Sequence, residues 1–112
     1  MNRTILADRL IEIARCLGEE SWKHGNNLDQ LEYVRSDIRY EMHWLKRAAE
    51  RSVKSDHQLD ILLSAERSDI QRRLDLLREM EQDLLQASLK QERAIQRLAF
   101  AVNKTKQQLS AN

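Results

Sequence analysis

The sequence predicts an all-α protein: a helical hairpin preceded by a short N-terminal helix, with a long coiled-coil-like third helix. Three observations lead there. The 112 residues contain no proline and only two glycines, the residue types that interrupt helices. Charged residues make up 33% of the chain and aromatic residues only 4%, which is typical of long, partly exposed helices. Apolar residues recur at three- and four-residue steps, and the length predicts one domain over residues 1–112.

The first helix is expected at about residues 4–23, with Asn2 or Thr4 as its N-cap. Its apolar positions share one face, namely Ile5, Leu6, Leu10, Ile13 and Leu17. Residues 24–27 read His-Gly-Asn-Asn. Glycine and asparagine tolerate the left-handed backbone that ends helices, so this segment is expected to be a loop.

The second helix is expected at about residues 28–53, with Asn27 as its cap. One face carries an aliphatic stripe of Leu28, Leu31, Val34, Ile38, Met42, Leu45, Ala49 and Val53. The nearly opposite face carries Tyr33, Tyr40 and Trp44. A helix that is apolar on two sides is expected to pack between two neighbours.

A tight turn is expected at about residues 53–56, where Ser55 and Gln58 have the spacing of a capping box. No glycine or proline enforces this turn. The alternative, one unbroken helix from residue 28 to the C-terminus, therefore stays open.

The third helix is expected at about residues 56–108, and its apolar steps from Ile70 onward have the period of a coiled coil. Polar residues interrupt the stripe at Glu81, Ser88, Gln91 and Thr105. Such a helix spans on the order of 80 Å, about twice the second helix. The apolar residues of its distal half then need a partner chain, or the first helix folded back over them.

We therefore predict partner-binding residues in two groups. The first group is the distal stripe of Leu84, Ile95, Leu98, Val102 and Leu109. The second is the aromatic set of Tyr33, Tyr40 and Trp44, because tyrosine and tryptophan are enriched where proteins bind one another.

The sequence gives no sign of catalysis, a cofactor or a bound metal. His57 and Asp60 have helical spacing, but two ligands do not make a metal site. Cys16 has only acidic side chains at helical spacing, which disfavour a reactive thiolate. Glycine-rich phosphate loops are missing as well. We expect a protein that is not an enzyme.

The net charge of the chain is only +1, but acidic and basic residues are unevenly distributed along the third helix. Residues 57–83 are mainly acidic, whereas residues 84–112 carry five cations against Glu92 alone. The candidate phosphate-binding residues are Lys90, Arg93, Arg97, Lys104 and Lys106. Cations also favour helix C-termini, and opposed charges can align two antiparallel chains, so this polarity has more than one reading.

The expected function is a non-enzymatic protein–protein interaction module, such as an adaptor, chaperone or assembly factor. Its partner is expected to be another protein chain, in a homodimer or a hetero-oligomer. The alternative is a small nucleic-acid-binding regulator that uses residues 90–106. No apolar run is long enough for a membrane helix, and a lone cysteine without a signal peptide favours the cytoplasm.

Overall fold

The protein consists of two long α-helices, α1 (Arg3–Ser52) and α2 (His57–Ala111), in a computed structural model that describes residues 2–52 and 57–111. Among these residues only Asn2 lies outside a helix. The prediction of an all-α chain is confirmed. The prediction of three helices is wrong, because the expected first and second helices are one.

Helix α1 begins at a side-chain cap. The Asn2 Oδ1 atom accepts a hydrogen bond from the Thr4 backbone N–H at 2.7 Å, and the Asn2 carbonyl accepts one from the Leu6 N–H at 3.1 Å. The first bond satisfies a backbone donor that has no partner in the first turn of a helix, and the second is the first regular hydrogen bond of the helix. Of the two predicted caps, the structure therefore has Asn2.

The expected loop at residues 24–27 is instead part of α1. No described residue has a positive φ, so Gly25 does not adopt the left-handed backbone on which the loop prediction depended. Glycine lowers helix stability by only about 1 kcal/mol relative to alanine. Packing of the inward side of α1 offsets that loss, because His24 and Asn27 both hydrogen-bond to α2.

The two helices meet along a seam, which we define as the residues at successive three- and four-residue steps on their inward sides. In α1 the seam is Leu6, Leu10, Ile13, Leu17, Glu20, His24, Asn27, Leu31, Val34, Ile38, Glu41, Leu45 and Ala48. In α2 it is Leu63, Arg67, Ile70, Leu74, Leu77, Glu81, Leu84, Ser88, Gln91, Ile95, Leu98, Val102, Thr105 and Leu109. Every seam residue is buried or half-buried, as in a coiled coil.

The chain divides into two compact units, and unit 1 combines Met1–Leu28 with Gln86–Asn112. Its most buried described residues are Leu6, Ser88 and Thr105. The distal apolar residues Ile95, Leu98, Val102 and Leu109 are half-buried here. The expected length mismatch is therefore wrong, because α1 extends far enough to pair with this part of α2.

Unit 2 is Asp29–Leu85. Its core packs Ala48, Ile70 and Leu74 against Ile38 and Leu45, and Leu31, Val34 and Leu63 are also buried. Aliphatic residues at the seam supply all of this core, which explains how the chain folds with so few aromatic residues.

The two helices run antiparallel in unit 2. The Arg51 guanidinium lies 3.0 Å from the Glu66 carboxylate, and Arg73 lies 3.0 Å from Glu41. In one unbroken helix, Arg51 and Glu66 would be about 22 Å apart, so the continuous-helix alternative is wrong. The turn expected at residues 53–56 lies outside the described residues.

The continuity of α1 predicts that Gly25→Ala stabilises the protein. An added Cβ meets no atom within 4 Å, and alanine favours a helix by about 1 kcal/mol over glycine. Urea unfolding followed by circular dichroism should show a gain of that size. Gly18→Ala, also in open space, is the matched control with a similar gain. If Gly25→Ala lowered the stability and Gly18→Ala did not, the result would favour the predicted loop at residues 24–27 over a continuous helix.

Candidate functional site

The aromatic residues of α1 in unit 2 lie on its outward side. Tyr33 is 75% exposed and Tyr40 is 61% exposed. The Tyr40 and Trp44 rings meet edge to face with centroids 6.2 Å apart, and the Arg47 guanidinium lies 5.9 Å from the Trp44 centroid. Only α2 packs on α1 among the described residues, and the expected first helix is part of α1, so no described segment covers these aromatic residues. A covering partner chain stays a prediction.

Apolar residues of α2 lie beside these aromatic rings. Tyr40 and Leu76, the latter 60% exposed, line one shallow hollow whose wall and floor also include Asp37, Glu41, Arg73 and Leu77. Residues at seven-residue multiples or four-residue steps share a helix face, so exposed hydrophobic residues at these steps from Tyr40 and Leu76 lie on the same sides of the two helices. We define the apolar flank as Tyr33, Tyr40, Trp44, Leu62, Leu76 and Met80, all exposed.

The grouping of these side chains is what distinguishes the apolar flank. The other large hydrophobic residues of unit 2 that the structure describes as exposed are Met42 and Ile61, which point elsewhere. Single exposed hydrophobic residues are ordinary, whereas an apolar patch is the kind of surface at which proteins bind one another. Sequence reasoning found the aromatic half of the flank and missed Leu62, Leu76 and Met80.

Two seam carboxylates of unit 2 are neutralised from the opposite helix. The Glu41 side chain is only 14% exposed and accepts hydrogen bonds from Arg73 at 3.0 and 3.1 Å. The hydrogen bond to Glu41 holds the pKa of the Arg73 guanidinium above its ordinary value. In the same way Glu81 accepts a hydrogen bond from Arg35 at 3.1 Å. The acidic interruption predicted at Glu81 is therefore a paired charge.

Four polar seam residues of unit 1 form a polar layer, defined as His24, Asn27, Ser88 and Gln91. The Asn27 amide donates a hydrogen bond to Gln91 Oε1 at 2.8 Å, and Ser88 Oγ lies 3.3 Å from His24 Nδ1. A serine beside a histidine is also the nucleophile–base pair of many hydrolases. Here the serine is only 8% exposed and no described carboxylate hydrogen-bonds to His24. The side chains of the polar layer satisfy one another within the seam.

The candidate phosphate-binding residues lie outward on α2. Lys90, Arg93, Arg97, Lys104 and Lys106 are all exposed, and none forms an ion pair with another described residue. The predicted distal stripe differs from them, since Leu84, Ile95, Leu98, Val102 and Leu109 are half-buried in the seam. Their role in binding a partner chain stays a prediction, without the length mismatch that motivated it.

No protein-family model, curated protein or solved structure gives a significant match to this chain. Over the described residues, neither helix contains an apolar stretch of the length that spanning a membrane requires. Within the same residues, no group of three or more histidine, cysteine or acidic side chains is placed to hold a metal ion.

The Glu41–Arg73 pair predicts different effects for two neighbouring arginines. Arg73→Met removes the partner of a nearly buried carboxylate, whereas Arg72→Met breaks only the exposed pair with Asp69. An uncompensated buried charge is strongly destabilising, and an exposed pair contributes little. The urea midpoint should fall clearly for Arg73→Met and hardly for Arg72→Met. Equal urea midpoints for the two variants would show that Arg73 is not needed to compensate the charge of Glu41.

The polar layer predicts a coupled pair of substitutions. Gln91→Leu should lower stability by about 1 kcal/mol, because Asn27 loses its hydrogen-bond partner in the seam. The double variant Asn27→Leu/Gln91→Leu should recover the loss, since two leucines pack against each other. Urea unfolding of both single variants and the double variant measures the coupling. If the stability changes of the two single variants simply added up in the double variant, the hydrogen bond between Asn27 and Gln91 would be contradicted.

Proposed function

We propose that the protein is a non-enzymatic protein–protein interaction module that binds a helix of another protein chain along the apolar flank. One observation carries this proposal. Exposed hydrophobic side chains from two antiparallel helices meet in unit 2, where Tyr40 and Leu76 line one hollow and the rest of the apolar flank lies at helical spacing from them. Adaptors, chaperones and assembly factors all act through surfaces of this kind.

The shape of the apolar flank favours a helical occupant. Two packed helices leave a shallow hollow between them, and an amphipathic helix can place its apolar face in such a hollow. Burying one large side chain stabilises a complex by ~1.5–3 kcal/mol. Tyr40 and Trp44 are the residue types that most often dominate binding energy, so we place the centre of the interface there.

The proposed partner interface is the apolar flank and not the distal stripe of α2. Leu98 is half-buried in the seam of unit 1. A charge introduced there would disturb the pairing of α1 and α2 rather than an assembly of chains. Both a second copy and a different protein are compatible with the apolar flank, because its aromatic and aliphatic residues are available to either.

The double variant Tyr40→Ser/Trp44→Ser should abolish binding of the partner, because it removes the two central aromatic side chains of the apolar flank. Sedimentation of the purified protein at micromolar concentration measures self-association. Chemical cross-linking in extract of the native source, followed by mass spectrometry of the cross-linked residues, locates the contact of a different partner. Binding should persist at high salt, because apolar burial does not depend on screened charges.

The matched control is Met42→Ser/Ile61→Ser, which removes two exposed hydrophobic residues of the same unit that lie off the apolar flank. This variant should bind like the wild type. A wild-type protein that is monomeric and forms no cross-link on the flank would contradict the proposal. So would equal loss of binding in both double variants.

A further inference from the structure

A second surface lies on the outward side of α2 in unit 1. Three- and four-residue steps from Gln86 to Gln107 pick out an unbroken row of exposed side chains. We define the basic stripe as the central five of these, Lys90, Arg93, Arg97, Phe100 and Lys104. Arg93, Arg97 and Phe100 line one shallow depression. Of the five predicted cations, helical spacing brings four into one row and leaves Lys106 on another side.

The charges of the basic stripe are available to a ligand. None of its four cations forms an ion pair with a described residue. Four arginines of unit 2 differ in this respect, since Arg35, Arg51, Arg72 and Arg73 are each paired with a carboxylate. Four unpaired cations along one side of a helix attract an extended polyanion, because binding releases its condensed counterions.

The aromatic side chain within the basic stripe narrows the ligand class. Phe100 is 70% exposed and lies between cations on both sides. In a nucleic-acid duplex the faces of the bases are covered by stacking, whereas a single strand exposes them to an aromatic ring. Lys90 and Lys104 are about 21 Å apart along the helix, which suits roughly four to six nucleotides.

We propose that the basic stripe binds single-stranded nucleic acid, with its cations on phosphates and Phe100 stacked on a base. This site is separate from the apolar flank and does not depend on the function proposed there. Two other anionic surfaces fit less well.

An anionic lipid surface requires a broad apolar face on the helix, whereas Phe100 is the single apolar residue in a row that ends in glutamines. An acidic protein surface such as unit 2 is also a weaker match, because part of its negative charge, at Glu41, Glu66, Glu81 and Asp69, is already paired with arginines. A phosphate backbone instead offers an unpaired charge at every nucleotide.

Fluorescence anisotropy with a labelled 12-nucleotide single strand, as DNA and as RNA, tests the proposal on the full chain. For four phosphate contacts, the logarithm of affinity should fall with the logarithm of salt with a slope of about −2.8. Affinity should therefore drop about 50-fold between 50 and 200 mM salt. The duplex of the same sequence should bind more weakly, because it offers no base to Phe100.

Two variants separate the roles of charge and stacking. Arg93→Gln/Arg97→Gln should halve the salt slope, so that the same change in salt weakens binding only about sevenfold. Phe100→Ala should weaken binding roughly tenfold and leave the slope unchanged, because stacking is not a charge contact. All three positions are exposed, so circular dichroism should show an unaltered fold.

The matched control is Arg39→Gln/Lys46→Gln, which removes two exposed cations of unit 2 that are unpaired among the described residues. It makes the same change in net charge and should leave affinity within twofold. The proposal is overturned if the strand fails to bind at 50 mM salt, or if the control weakens binding as much as the stripe variant. The proposal is also overturned if the wild-type protein binds polyglutamate as tightly as the single strand. The same holds if the Phe100→Ala variant binds phosphatidylserine vesicles as tightly as the single strand.

Discussion

The antiparallel seam between α1 and α2 is the interaction on which each unit depends. Most of the stability of helices in proteins comes from packing one apolar side rather than from the helical propensity of their residues. Every seam residue of both helices is buried or half-buried, while nearly all others face solvent. The aliphatic residues of the seam are therefore committed to holding the helices together, which leaves the outward positions available for binding.

Polar residues in the seam limit the registers that the helices can adopt. Asn27 hydrogen-bonds to Gln91, and a shift of one heptad would place it opposite Leu84 or Leu98 instead. The same shift would exchange the Arg73 partner of Glu41 for Glu66 or Met80. Both changes leave a polar group in the seam without a partner, so the interruptions that weaken the apolar stripe also specify its alignment.

Helical content and the heptad spacing of α2 were predictable, because composition and periodicity are local properties. The error at residues 24–27 came from judging glycine and asparagine by propensity alone. The steps from Leu17 through His24 and Asn27 to Leu31 continue the seam without a break, and that continuity was the signal for one helix. The regular three- and four-residue spacing of the seam across residues 24–27 therefore predicted the helix better than the low helix propensity of glycine and asparagine did.

The candidate surfaces were predictable only in part, for a related reason. Tyr33, Tyr40 and Trp44 share a face of one helix, and so do the cations of the basic stripe, which spacing alone reveals. That Tyr40 lies beside Leu76 depends on the register between two helices, which no local pattern contains. The apolar flank therefore became visible as a surface only once the seam was known.

The two surfaces also differ in the physics that would bind a ligand. Counting residues in the sequence, unit 1 has nine basic and five acidic groups, a net charge of +4, whereas unit 2 has ten and thirteen, a net charge of −3. A polyanion is thus attracted to one unit and repelled by the other. In the two proposed interactions, apolar burial would drive association at the flank and tolerate salt, while phosphate contacts at the stripe would weaken with it. Ionic strength would therefore act on the stripe and leave the flank largely unaffected, so the two proposed activities can be tested separately in one protein.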